Sequence, residues 1–225
     1  MTFSIVARCA DTGQFGVAIS SSSPAVAARC VHVRAGVGAA CSQNITDPRL
    51  GVALLDALEA GAPAVEAMRT VAEQSSHIEY RQLTVVDAAG ATAAYSGDYC
   101  LGTNANYAGT NAVAAGNLLA NELIPRLMAD AYQAMDGKHL GDRLIGALSA
   151  ALEAGGEEGP VHSAGLVIVD QVSWPTTDLR VDWSDDPIRE LKVLWRLWRP
   201  QIDAYVTRAL DPSASPSYGV KGDGR

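Results

Sequence analysis

The chain opens with two apolar-rich runs, residues 3–8 and 14–20, joined only by Cys9-Ala10-Asp11-Thr12-Gly13. A connection that short, with Asp and Gly in it, predicts an antiparallel β-hairpin. The rest of the chain must then cover the faces of a sheet begun at the N-terminus. Residues 30–34 and 36–42 repeat the arrangement around Gly36. Gly36, Gly38, Ala39 and Ala40 keep that second hairpin's last strand thin, leaving room for a backbone or a ligand to approach.

Helical spacing follows. Asp47-Pro48 reads as a helix entry, with Val52, Leu55 and Leu58 on one face before Gly61. Pro63 reads as the start of a second helix carrying Val65, Met68 and Val71. Strands are expected at 80–87 and 91–96 across the turn Asp87-Ala88-Ala89-Gly90, a long loop at 97–111, and a short strand at 112–116. Helices are expected at 120–135 and 139–154, broken at Asp136-Gly137, then strands at 164–169 and 179–183. A last long helix begins near Asp186-Pro187. This order predicts an α+β fold, a four-layer αββα sandwich with two antiparallel sheets between two layers of helix.

At 225 residues the chain suits one domain, expected over 1–210, with a loose tail over 211–225 rich in Pro and Gly. Hydrophobic residues at 48% exclude a disordered chain, while aromatics at 6% leave the core to Ala, Val, Leu and Ile. Seventeen basic against 25 acidic residues give 17 − 25 = −8, which argues against nucleic acid and against an anionic membrane surface. No apolar run nears the ~18 residues of a membrane span, and the N-terminus has no signal-peptide pattern. Cys9, Cys30, Cys41 and Cys100 form no CxxC pair and have no His at metal-ligand spacing. The expectation is a cytoplasmic protein with reduced, mostly buried thiols and neither metal nor cofactor.

Motifs for familiar chemistry are missing: no GxSxG, no Walker loop, no GxGxxG after a strand, no HExxH. His32, His77, His139 and His162 are scattered. Thr2 is different. Methionine removal requires a small residue at position two, so the mature chain can begin with a threonine at the head of the first strand. Such a residue combines a hydroxyl nucleophile with its own base, an α-amino group of pKa about 7.7–8.0. With Met1 retained, Thr2 is internal, lacks that amine, and is simply a good strand former.

The chain also resembles the DUF1028 family, an uncharacterised group placed among the N-terminal-nucleophile (Ntn) hydrolases with proteasome-type subunits. The resemblance is carried by MTFSIVAR at 1–8, FGVAIS at 15–20, RAGVGAACSQN at 34–44 and EYRQLTVVDAAG at 79–90. It continues through SGDYC at 96–100, AGNLL at 115–119, GLVIVD at 165–170 and DLRVDWSDDPIREL at 178–191. It implies the αββα sandwich and an amide-bond hydrolase with Thr2 as nucleophile. Ser20 falls near a position that is acidic in proteasome-type sites, and Arg29 is the cation nearest to their missing lysine. Residues 155–163, GGEEGPVHS, depart from the family's usual GGDxRGxQSA.

Gln43 and Asn44, at the exit of the small-residue strand, are candidates to hold an oxyanion, or are turn residues. The run Ser20-Ser21-Ser22-Ser23 supplies either a polar strand end or hydroxyls at a pocket mouth, with Ser20 and Ser22 facing substrate. Asn117 either contacts substrate or caps the next helix. Two readings follow: a hydrolase of a small amide-containing metabolite, or an inactive relative that binds a small molecule. Leu191, Leu194, Trp195 and Trp198 fall on one face of the last helix among Arg and Lys, which predicts a homodimer contact near Trp195 and Trp198.

Overall fold

Thr2–Arg8 (β1) and Phe15–Ser21 (β2) pair antiparallel from Phe3↔Ser20 to Arg8↔Phe15. The structure is a computed structural model, and it describes residues 1–222. Gly13, at φ 77°, closes the first turn in the left-handed region that glycine tolerates. A short helix, Ala27–Cys30 (α1), leads to the second hairpin, Val31–Arg34 (β3) and Gly38–Asn44 (β4). Pro48–Glu59 (α2) begins where the Asp47 carboxylate accepts the Arg49 N–H, and Ala64–Gln74 (α3) follows. Arg81–Asp87 (β5) and Thr92–Ser96 (β6) form the third hairpin. Ala105–Gly109 (β7) and Ala112–Asn117 (β8) form a fourth. Ile124–Ala134 (α4), Leu140–Glu153 (α5), Ser163–Val169 (β9), Thr177–Val181 (β10), Pro187–Trp198 (α6) and Ile202–Leu210 (α7) complete the order.

The strands build two antiparallel sheets with helices packed against them. One has the order β10-β9-β2-β1-β8-β7, the other β3-β4-β5-β6. Side chains alternate along β1, as the two-residue period of a strand requires. Phe3, Ile5 and Ala7 pack with Tyr132, Leu144 and Leu148 of α4 and α5. Val6 instead joins Val17, Ile19, Ala39, Cys41 and Val86, contributed by both sheets. Leu50, Leu54, Leu58, Met68 and Val71 of α2 and α3 cover Leu83 and Val85 of β5. All four cysteines are free: Cys9 lies in the first of these clusters, Cys30 and Cys41 in the second, and Cys100 is half-buried in a loop. Among the described residues no helix is long and apolar enough to cross a membrane.

Several expectations change. The loop at 97–111 contains β7, a half-exposed edge strand whose pairing with β8 creates it despite its polar composition. The strand expected at 179–183 runs from Thr177 to Val181, because Asp182 turns away and its carbonyl accepts the Ala25 N–H at 2.9 Å. Helix α4 starts four residues later than the pattern suggests. Asn121 holds the preceding segment by donating to the Ala154 carbonyl at 2.9 Å and accepting from Leu123 N–H at 3.0 Å. Val52 and Val65 are exposed, and Leu54 and Ala67 take the buried positions.

The stripe on α6 is the largest revision. Trp195 is 3% exposed, packed in the same cluster as α5, and its indole donates to Asp142 at 2.7 Å. Trp198 is partly buried and donates to the Thr176 carbonyl at 3.0 Å. The face expected to meet a second copy covers β9 and β10 of its own chain and packs against α5. Among the described residues after Asp211 there is no helix or strand. Tyr218 returns under the Arg208 guanidinium, 3.9 Å from its ring centre. Residues 223–225 of the expected tail lie outside the described residues.

Candidate functional site

Where the two sheets meet, every contributing strand changes character along its length in the same sense. On β1 the inward positions run Val6, Ser4, Thr2; on β2, Val17, Ile19, Ser21. On β4 they run Ala39, Cys41, Gln43; on β5, Val86, Thr84, Gln82; on β8, Val113, Ala115, Asn117. Register brings the polar ends together: Thr2 pairs with Asn117 across β1 and β8, and Gln43 with Gln82 across β4 and β5. The seven polar side chains are all buried.

Burial of that many amides and hydroxyls demands partners, and the partners fix their orientation. The Gly116 carbonyl can only accept, so the Gln82 Nε2 faces it at 3.0 Å and also donates to Ser96 Oγ at 3.0 Å. Gln82 Oε1 then accepts from Gln43 Nε2 at 2.8 Å and from Asn117 Nδ2 at 3.1 Å. Gln43 Oε1 in turn accepts the Ser4 hydroxyl at 2.6 Å. Two atoms are left over: Asn117 Oδ1 and Thr84 Oγ1 are buried with no hydrogen-bond partner.

At the head of this network Thr2 is 6% exposed. Its hydroxyl is shared between the Met1 carbonyl and Ser21 Oγ, 3.3 Å away. The Ser21 hydroxyl also donates to the Met1 carbonyl and accepts the Ser23 N–H at 3.1 Å. Beside them lies Glu157, 4% exposed, from the loop after α5. Gly155 and Gly156, both at positive φ, let the chain leave the helix and lay Glu157 in a β-bridge against Leu119. Glu157 Oε2 accepts the Ser22 N–H at 3.2 Å, while Oε1 is buried without a partner. Burial raises its pKa to about 7, although the Met1 terminal ammonium and the bonds from Ser22 pull it back down. A carboxyl so placed exchanges its proton near neutrality, as a general acid or base must.

The model of a family of unknown function, DUF1028, matches residues 2–191. The chain belongs to the DUF1028 family. A crystal structure of a DUF1028 protein from Silicibacter pomeroyi is similar to it at 29% identity and a TM-score of 0.81, over 87% of this chain and 88% of that one. Fainter similarity extends to Anbu, in its Gly-1 mutant from Hyphomicrobium sp. strain MC1, at 13% identity and a TM-score of 0.43 over 91% and 97%. Anbu from Yersinia bercovieri, described as an ancestral beta-subunit, gives 12% and 0.40 over 90% and 97%. Similarity at that level carries no argument. No curated protein matches the chain.

Within this DUF1028 chain the structure gathers Thr2, Gln43 and Asn117, and sets Ser22 beside Glu157 through its backbone N–H. It does not bring in the rest. The Ser20 side chain shares the helix-facing side of β2 with Ala18, opposite to Ser21, and donates to the Ser163 carbonyl at 2.9 Å. Arg29 donates to the Pro24 and Ala25 carbonyls at 2.6 and 3.1 Å, closing the turn before α1. Asn44, at φ 71°, donates to the Tyr80 carbonyl at 2.6 Å and accepts the Leu101 N–H at 3.2 Å, so it ties two loops together. Sequence reasoning does not single out Ser4, Gln82 or Glu157. The available signal for Glu157 is an acidic pair enclosed by glycines directly after a helix.

Proposed function

We propose that the chain is an amide-bond hydrolase of the N-terminal-nucleophile type, acting on a small amide, with its elements layered α–β–β–α. The layering rests on three separate cores: helices α4–α6 against the six-stranded sheet, sheet against sheet, and α2–α3 against the four-stranded sheet. The activity rests on one observation. The Thr2 hydroxyl stands at the polar end between the sheets, bonded to the Ser21 hydroxyl and neighboured by a buried carboxyl that titrates near 7.

Removal of Met1 turns the Thr2 nitrogen from an amide into an amine. The amine takes the hydroxyl proton while Oγ1 attacks the substrate carbonyl carbon. The Ser21 hydroxyl, which otherwise donates to the Met1 carbonyl, donates to the oxyanion. Collapse expels the amine product, which takes a proton from the Thr2 ammonium or from Glu157, and leaves an ester on Thr2. Water, deprotonated by whichever of the two gave up its proton, attacks the ester, releases the acid and restores the Thr2 hydroxyl. Intact-mass measurement on protein from its own host, paired with a screen of small amides, tests this. Expected are a mass short of one methionine and a turnover abolished by Thr2→Ala. Turnover that survives Thr2→Ala, or a methionine fully retained in the host, overturns it.

One observation favours the second reading, a ligand-binding protein without catalysis. While Met1 is present the Thr2 nitrogen belongs to a peptide bond and the Met1 carbonyl occupies both hydroxyls.

A further inference from the structure

Met1 presents three groups to the site. Its carbonyl oxygen is held by the hydroxyls of Thr2 and Ser21. Its side chain lies over Gly159, where an added Cβ would stand 3.6 Å from the methyl carbon and 3.8 Å from the sulfur. Both distances are ordinary van der Waals contacts, so the thioether packs on the backbone at Gly159. The charge of the terminal ammonium acts on the Glu157 carboxyl and opposes the rise in its pKa. Glu157 Oε1 nevertheless has no donor, though the residue is 96% buried. A buried acceptor left without a donor is destabilising, a cost that an incoming N–H group relieves.

We infer that, once Met1 is gone, the vacated space takes an α-aminoacyl amide with a free ammonium group and an unbranched apolar side chain. Met1 is the internal occupant that shows the places of the carbonyl and of the side chain. The acyl carbonyl meets Ser21 beside the Thr2 hydroxyl, the ammonium donates to Glu157 Oε1, and the side chain lies along Gly159. Substrates whose amine is acylated lose the charge and place a carbonyl oxygen near another acceptor, so the site discriminates against them. This inference rests on the hydrolase reading only for the location of the site.

The test uses full-length protein beginning at residue 2 and carrying Thr2→Ala, so that binding is read without turnover. L-methioninamide and N-acetyl-L-methioninamide are titrated by calorimetry. The expected result is binding of the free amine about tenfold tighter or more than its acetylated form, a difference that Glu157→Gln removes. Equal binding of the two ligands, or binding of neither, overturns the inference, and the ligand pair decides it even if Glu157→Gln fails to fold. The outcomes separate the two claims. Methioninamide bound by the Thr2→Ala protein but never hydrolysed by the wild type leaves this inference standing without the hydrolase. Thr2-dependent hydrolysis of acetylated amides, at rates equal to free ones, does the reverse.

Discussion

Glu157 carries a pKa of about 7 in the fold against an ordinary 4.5, and the difference makes stability depend on pH. Below 4.5 the carboxyl is protonated both folded and unfolded and contributes no slope. Between 4.5 and 7 the unfolded chain ionises first, the folded state binds more protons, and stability falls as pH rises. Above that window the deficit is constant, on the order of 3 kcal/mol. Glu157→Gln keeps the shape and removes the charge. It should match the wild type in urea titrations near pH 4.5 and exceed it by a few kcal/mol near pH 8. A difference that stays constant across that range would show that burial of the charge is not the cause. Legibility at this scale followed locality. Thr2 was visible because position two and a strand head are properties of sequence. The choice of Ser21 over Ser20 was not, since four consecutive serines carry no alternation and only the pairing of β1 with β2 assigns their faces. Gln82 reads like a solvent-side residue of an alternating strand. It is buried because a second sheet lies over that face.

Helices α2, α3 and α5 were readable from punctuation, through Pro48, Pro63 and the break at Asp136-Gly137. The period on α6 was equally clear, but a period identifies a buried face without naming what buries it. Here that face is closed by α5. Gly141, in the first turn of α5, lies flat against the Trp195 ring, so that a Cβ there collides with it. The ring cannot swing aside without giving up its bond to Asp142. Replacing a helical glycine by alanine ordinarily gains about 1 kcal/mol, whereas forcing a methyl into a packed core costs about 1–3 kcal/mol. Gly141→Ala should therefore lose stability, by up to about 2 kcal/mol in chemical denaturation. A gain would mean that α6 is free to move off α5.

Across the whole molecule, the first three hairpins were legible because each joins neighbours in sequence, the fourth was hidden by the polar composition of β7, and the pairings that build the site join strands far apart. Strand β1 reaches β8 across about half the chain, and β2 reaches β9 across still more. The candidate site draws on both, which is why its members looked unrelated in sequence. The distribution of thiols turns this architecture into something that can be timed. Cys9 sits between helices and sheet, Cys41 between the two sheets, and only Cys100 approaches solvent, its thiol pushed up to about 11 by partial burial. An alkylating reagent should therefore modify native protein once, and slowly, at Cys100. Cys9 and Cys41 become modified only when their own compartments open. If the fold opens as one unit, their labelling rates coincide at every denaturant concentration. If Cys9 reacts ahead of Cys41, the helices peel from the larger sheet while the sheets still hold each other, and mass spectrometry of two peptides would resolve the order of opening.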